Sequence, residues 1–388
     1  MSMNARHAYH AEQFGLALID PHLFEVERRK CGKGFKICFA NGEPIADKRL
    51  RKRVKALAIP PAWTEVKICM EESGHIQAIG RDEKGRLQYR YHDEWVNVRD
   101  AVKTERLLRF GHALPRLRRR VEKDMRRRKL DRLTTSAIAT RLIDLTAMRP
   151  GHEKYASDGG RGVASLRKDN LRIVKKAAVL KFVAKSNKPQ RIEIVDRPMV
   201  KSLKRVRKGK GKRLFRFPDA RKEQRELTAN LLNDYLHEAA DAPVSAKDFR
   251  TFHGSAEALR YLVEDAGDKV NTKSKRKRAV AAAMRSVSQV LRNTPAVARA
   301  SYVHPQIVAA FEAGELSPDL LKGRCREGLT RVETGLMRFL EQAARTPVTA
   351  GQNETMNEAA ETPPETGRLD ERILEAAEEA ATARPIRP

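Results

Sequence analysis

Positive charge constrains this chain more than any other feature: 79 lysines and arginines stand against 50 aspartates and glutamates, a formal net charge of +29. The excess is uneven. Residues 347–388 hold nine acidic and four basic residues, a net of −5, and taking that from +29 leaves +34 on the body up to Thr346. A globular body so basic repels itself unless a polyanion partners it. Nucleic acid is the usual partner and a membrane surface the lesser one. Under that cationic surface the cores have to be aliphatic, because aromatic residues make up only 5% of the chain.

The 388 residues are enough for two domains with real cores at roughly 100–200 residues each. No run of about 18 apolar residues occurs, so no membrane helix is expected. Met1 to Gly15 is polar and lacks the apolar stretch of a signal peptide. Cys31, Cys38, Cys69 and Cys325 are scattered, with the spacing of neither a zinc site nor a disulfide framework. A reducing, cytoplasmic compartment is expected, with no metal site.

The hydrophobic period divides the chain. Residues 20–98 read as mostly β: Asn41-Gly42 after Phe35-Lys36-Ile37-Cys38-Phe39 is a hairpin signal, and Val66, Ile68 and Met70 alternate with polar residues. Arg81-Asp82-Glu83-Lys84-Gly85-Arg86 reads as a polar turn, and beyond it Tyr89 and Tyr91, two apart, share one face of a strand. From Asp100 the apolar residues follow helical spacing, with Arg and Lys on the other face. A second helix is expected from near Thr135 to Met148, ended by Pro150-Gly151. Val179 to Val195 reads as a hairpin around residues 185–188, Lys201 to Lys212 as a basic loop, and the rest to Arg345 as mostly helix. Residues 1–19 form an extension. Residues 347–388, rich in Pro, Glu and Ala, form an acidic tail whose composition predicts disorder, with a transient helix over residues 369–382. The expected fold class is α+β, a small β-rich N-terminal domain and a larger, mainly α-helical one over residues 99–346.

Cutting a phosphodiester without a metal needs a nucleophile, cations on the non-bridging oxygens, a proton for the leaving 5′-oxygen and a grip on the phosphate. Arginine suits the cation role because its planar fork donates two parallel hydrogen bonds to one phosphate. Composition cannot choose among so many cations.

Motifs choose. Arg81 to His92 (RDEKGRLQYRYH) resembles the DNA-facing segment of the small type IB DNA topoisomerases, the poxviral and bacterial branch. Ala58-Ile59-Pro60-Pro61-Ala62-Trp63 resembles their N-terminal domain. Lys247-Asp248-Phe249-Arg250-Thr251 resembles their K-D-x-R-T segment. Asn293-Thr294-Pro295 through Ser301-Tyr302-Val303-His304-Pro305 resembles the segment that carries their nucleophile. The similarity runs from about Val26 to Ala344, with several motifs in order.

The resemblance implies a catalytic set. Tyr302 matches the attacking tyrosine, Arg250 and Arg149 the two phosphate-clamping arginines, and Lys185 the lysine that protonates the leaving 5′-oxygen. Asn293 stands where the viral enzymes often have histidine, and its amide brings a hydrogen bond but no charge. Arg81, Gln88, Tyr89, Tyr91, Tyr155 and Lys247 match DNA-contacting positions. Two residues depart from the pattern: Pro150 follows Arg149 where an aliphatic residue is usual, and Arg292 replaces a usual glycine. Read from the residues alone, Tyr302 packs like any tyrosine, Arg149 is a cation at a helix C-terminus, Lys185 is an exposed turn lysine, and Tyr89 and Tyr91 are core aromatics. Locally, Thr294 can cap a short helix that begins at Pro295.

The family likeness implies two domains closing as a C-shaped clamp on duplex DNA, a monomer, a nucleoid-associated cytoplasmic location, and no cofactor, ATP or metal. A tyrosine recombinase shares the catalytic chemistry, but recombinases usually have His-x-x-Arg where this chain has Lys247-Asp248-Phe249-Arg250. A non-catalytic DNA-binding protein is the third class, and the intact Arg, Lys, Arg and Tyr set argues against it.

Overall fold

The computed structural model describes residues 3–151, 160–184, 188–209, 211–266 and 272–345. The chain forms two compact units that change over between Lys103 and Thr104, within the helix Trp95–Met125. The expected boundary at 98/99 falls in the first turns of that helix.

The first unit is built on an antiparallel five-stranded sheet of β1 (Val26–Cys31), β2 (Gly34–Phe39), β3 (Thr64–Ile68), β4 (Ile76–Arg81) and β5 (Leu87–Tyr91), in the order β2-β1-β3-β4-β5. One face buries Val26, Val66, Ile68 and Ala78 against Leu50 and Val54 of the helix Lys48–Ala56. Leu50 and Val54 are four apart, so one stripe of an otherwise cationic helix supplies the apolar contact. The hairpin turn falls elsewhere than expected. β1 and β2 close at Cys31 and Gly34, with Gly32 at φ +56°. Asn41-Gly42 instead makes a turn after β2, where Asn41 Oδ1 accepts from the Glu43 amide at 3.0 Å and the Phe39 amide donates to Glu43 O at 2.9 Å.

The second unit is mainly helical, around a three-stranded antiparallel sheet of β6 (Leu171–Val174), β7 (Ala177–Ala184) and β8 (Lys188–Ile194). Its helices Arg132–Thr146, Arg197–Arg207, Ala229–Ala240, Ala246–Arg260, Lys273–Leu291 and Arg331–Arg345 share one core with the sheet. Against the expectation of an aliphatic core, its largest buried side chains include Phe110, Phe215, Tyr235, Phe249 and Phe252. The basic run expected to be a loop is helix through Arg207: Asp196 caps it by accepting from the Met199 amide at 2.8 Å, and Met199, Val200, Leu203 and Val206 are buried. Cations between those positions hide a helical stripe from any reading of composition. The helix before Arg149 also differs. It starts at Arg132, capped by Asp131, and stops at Thr146, where Ala147 turns left-handed at φ +51°. Arg149 therefore stands in a loop beyond the helix and not on its last turn.

A buried charge network braces this unit. Arg118 donates to Asp144 and to Glu333 at 2.8 Å each, and His253 Nε2 lies 3.5 Å from Asp144. Burial alone would raise the Asp144 carboxyl, but His253 and Arg118 hold it well below the usual carboxylate range. The network joins the long helix, the helix before Arg149, the helix of Arg250 and the last described helix. No helix among the described residues is long and apolar enough to cross a membrane.

Candidate active site

The helix Ala246–Arg260 starts at a capping box. The Ser245 amide donates to Asp248 at 2.7 Å, and Arg106 pairs with the same carboxylate. Phe249 turns into the core, edge-on to Phe110 at 4.9 Å. Arg250, the next residue, is only 2% exposed. Its terminal nitrogens donate to the carbonyls of Ala147 and of Leu291, the latter at 3.1 Å. Both carbonyls belong to helix C-termini, whose last acceptors lack intrahelical donors. Each helix closes on a left-handed residue, Ala147 at φ +51° and Arg292 at φ +54°. Arg292 adds a second tie, donating to Thr146 O at 2.7 Å. Arginine in place of the usual glycine thus stitches two helix ends together with its side chain.

Tyr302 is presented by the short helix Pro295–Ser301. Thr294 caps it, accepting from the Val297 amide at 3.3 Å, and the Tyr302 amide ends it by donating to Ala298 O at 3.0 Å. Ser255 grips the next stretch: its hydroxyl donates to Tyr302 O at 3.2 Å and accepts from the His304 amide at 3.0 Å. The buried His304 ring lies 2.9 Å from the Thr104 hydroxyl. Pro305 then begins a new helix, Pro305–Ala313. The Tyr302 ring lies under the Arg250 guanidinium, 4.6 Å from its centre. Burial pushes the phenol up, but Arg250, Arg149 and Lys247 together more than offset it, so Tyr302 sits below the ordinary tyrosine value. Burial, with Arg149 and Arg292 nearby, pushes the Arg250 guanidinium down, while Tyr302 opposes the shift.

Arg149 is held by backbone. Gly151, at φ +86°, lies so close to Gly162 that a Cβ on Gly162 would come within 2.4 Å of the Gly151 Cα. The amides of Val163 and Ala164 donate to Arg149 O at 2.9 Å and Pro150 O at 2.8 Å. Proline in the family's aliphatic position is therefore compatible with this pairing, because only its carbonyl is used. Arg149, Arg161, Arg250 and Arg292 line one cleft with Met148, Phe182, Ala184 and Gln190. None of Arg149, Arg250, Arg292 or Lys247 has an acidic ion-pair partner among the described residues. Asn293 has both side-chain amide atoms buried with no hydrogen-bond partner. Buried polar atoms left this way cost roughly 1–3 kcal/mol each, a cost that an entering phosphate oxygen would remove from the Asn293 NH₂.

Lys185 and Tyr155 lie outside the described residues. β7 ends at Ala184 and β8 resumes at Lys188, and Ala184 lines the cleft. In the first unit, Arg81 pairs with Glu65 at 2.9 Å and Gln88 donates to Asp82 at 2.9 Å. Tyr89 and Tyr91 stack at 5.9 Å, and Tyr91 stacks on the buried Trp95 at 6.1 Å. The pair is half-buried, partly a packing element and partly presented to solvent. Arg161, Asp248 and Ser255 were not singled out from the sequence. The Gly159-Gly160-Arg161-Gly162 run carried a signal, since closely spaced glycines mark close backbone approach.

Tyr302 beneath Arg250, with Arg149, Arg250, Arg292 and Lys247 lacking acidic ion-pair partners among the described residues, is an arrangement suited to an anionic substrate. Residues 92–315 match the family Eukaryotic DNA topoisomerase I, catalytic core, and residues 34–82 match Bacterial DNA topoisomerase IB, N-terminal domain. The DNA topoisomerase 1B of Acanthamoeba polyphaga mimivirus is 30% identical over 292 residues, which cover 73% of this chain and 87% of that protein. The chain belongs to the type IB DNA topoisomerases, with an N-terminal domain of the bacterial kind.

Proposed function

We propose that the chain relaxes supercoiled DNA by two transesterifications, clamping the duplex as a monomer. Tyr302 attacks a backbone phosphate, forming a 3′-phosphotyrosyl bond and breaking the bond to the 5′-oxygen. Lys185 supplies the proton that leaves with the 5′-hydroxyl. The freed strand rotates about its partner, and the 5′-hydroxyl then attacks the phosphotyrosine and expels Tyr302. Arg149 and Arg250 neutralise the charge that develops on the non-bridging oxygens, and Asn293 donates one further hydrogen bond. Bond energy stays in the covalent link, so the cycle calls for no ATP, and fixed arginines take the role that a divalent metal has elsewhere.

The observation that carries this reading is the Arg250 guanidinium 4.6 Å over the Tyr302 ring. It favours the phenolate before attack and stands ready for the phosphate afterwards. The test is incubation with negatively supercoiled plasmid in EDTA without ATP, with detergent quenching of a parallel sample. A ladder of relaxed topoisomers and DNA covalently attached through its 3′ end are expected from the wild type, and neither from Tyr302→Phe. Relaxation by Tyr302→Phe at the wild-type rate would overturn the reading.

A further inference from the structure

Two helices meet at the cleft by their C-termini, and two arginines tie them together. Arg250 donates to Ala147 O of one and, at 3.1 Å, to Leu291 O of the other. Arg292 repeats the tie one residue earlier on each helix: its Nη1 donates to Thr146 O at 2.7 Å and to Val290 O at 3.1 Å. The last carbonyls of a helix carry the negative end of its dipole. Two such ends left bare at this point would repel each other and an entering phosphate alike. The two ties are not equivalent. Arg250 lies over the Tyr302 ring, has both terminal nitrogens on carbonyls, and leaves its Nε buried without a partner. Arg292 is half-buried on the cleft wall and is held at φ +54°, a backbone that suits glycine better than arginine.

We propose that Arg292 is the brace that keeps these helix ends together while Arg250 turns to the scissile phosphate. The assignment rests on the transesterification reading above. A guanidinium that serves a phosphate through two parallel hydrogen bonds cannot keep the same N–H groups on carbonyls. Substrate therefore competes with the share of the tie that Arg250 carries, and the share carried by Arg292 remains. Ala147 precedes Arg149 by two residues, and Asn293 directly follows Arg292. A slack joint here would draw both Arg149 and Asn293 off the phosphate. Arg292 is accordingly a positioning residue that acts through Arg149, Arg250 and Asn293 and touches no reacting atom.

The experiment compares Arg292→Gly and Arg292→Lys with the wild type in single-turnover cleavage of duplex DNA at saturating protein, at a temperature where thermal melts show every variant folded. Glycine fits the left-handed backbone, so the fold should survive the first substitution. Arg292→Gly should slow cleavage roughly 10- to 100-fold, the range for reacting groups displaced by up to about 1 Å. Arg292→Lys keeps the charge on a stem one bond shorter and should restore only part of the rate. In a Tyr302→Phe background, duplex affinity and its salt slope should be the same with and without Arg292. The losses from Arg292→Gly and Arg250→Ala should fail to multiply when combined, because both act through one joint. A wild-type rate in Arg292→Gly, full recovery by lysine, or losses that multiply would overturn the proposal. So would a salt slope lowered by about 0.9, which marks a direct phosphate contact. Wild-type protein run alongside separates the two failures. If it forms no covalent complex, the transesterification reading falls and the brace with it; if it cleaves and Arg292→Gly cleaves as fast, only the brace falls.

Discussion

The sheet of the first unit and the cleft of the second both present arginines, but they prepare them differently. In the first unit Arg81 pairs with Glu65, Arg86 with Asp82 and Arg29 with Glu27, all at 2.7–3.0 Å, whereas Arg28 of β1 donates to the carbonyls of Ile59, Pro60 and Trp63. Exposed pairs of this kind contribute roughly 0–1 kcal/mol, so exchanging a carboxylate for a DNA phosphate is nearly neutral. Such a surface can make and break contacts without large cost. In the cleft, Arg250 is buried, donates to two carbonyls and lies over the Tyr302 ring, with no carboxylate partner among the described residues. A desolvated cation without a carboxylate is costly to the empty protein, and an anion entering the cleft relieves that cost. Arg250 is thus left without a carboxylate while Arg81, Arg86 and Arg29 have one, the contrast on which the proposed division between a reacting cleft and a holding surface rests.

The sharpest break between the regions should come from the cleft arginines. Arg250→Ala and Arg149→Ala are each expected to slow single-turnover cleavage by several hundred-fold or more, because one preorganised donor is worth about 3–4 kcal/mol. Arg250→Ala should be the worse, since it also frees the carbonyls of Ala147 and Leu291. Losses under about tenfold for both would mean that the cleft does not hold the scissile phosphate. The same arginine acts on the nucleophile. In the free protein the Tyr302 phenol should titrate below the ordinary value of about 10 and move up in Arg250→Gln, so any inflection due to Tyr302 shifts to higher pH. NMR of ring-labelled tyrosine reads this directly, and an unmoved titration would detach Arg250 from Tyr302.

A smaller effect tests how Arg149 is held. Gly162→Ala adds a methyl where 2.4 Å separates it from the Gly151 Cα, so the backbone must part and carry Arg149 with it. Misplacement by about 1 Å costs on the order of 100-fold in rate. Cleavage should fall by that order while duplex affinity changes little. Wild-type cleavage by Gly162→Ala would show that the Arg149 loop repositions freely.

Much of this was legible in the residues. Alternation and helical spacing separated the β-rich part from the helical part, and the Thr294-Pro295 pair located the cap of the helix before Tyr302. Single motifs marked Arg250 and Tyr302, which lie 52 positions apart in the chain yet meet in the fold. What escaped was set by tertiary contact. Nothing local says that Ala147 turns left-handed to end a helix three residues before Pro150, or that Arg292 bonds a carbonyl 146 positions away. Met199, Val200, Leu203 and Val206 make an ordinary helical stripe, hidden by intervening cations that read as loop. Arg161 is one cation among 79 until backbone contact puts it beside Arg149.

The least effect is expected on the sheet, and it tests the other half of the comparison. Arg81 makes an exposed pair with Glu65 and also donates to Gly85 O at 3.0 Å. Arg81→Ala should change stability by roughly 1 kcal/mol or less, since exposed pairs contribute no more than that. If Arg81 exchanges Glu65 for a DNA phosphate, removing it lowers the salt slope of duplex binding by about 0.9. Cleavage at saturating protein should stay at the wild-type rate, because Arg81 touches no reacting group. Glu65→Gln supplies the converse: with the internal competitor gone, Arg81 is already available, and affinity at low salt should rise by a few-fold where screening is weakest. If neither substitution moves the salt titration, the Arg81–Glu65 pair is a fixture of the sheet, and DNA is held by other cations. If Arg81→Ala instead slows cleavage at saturation, the two regions are coupled, and the division between a holding surface and a reacting cleft fails.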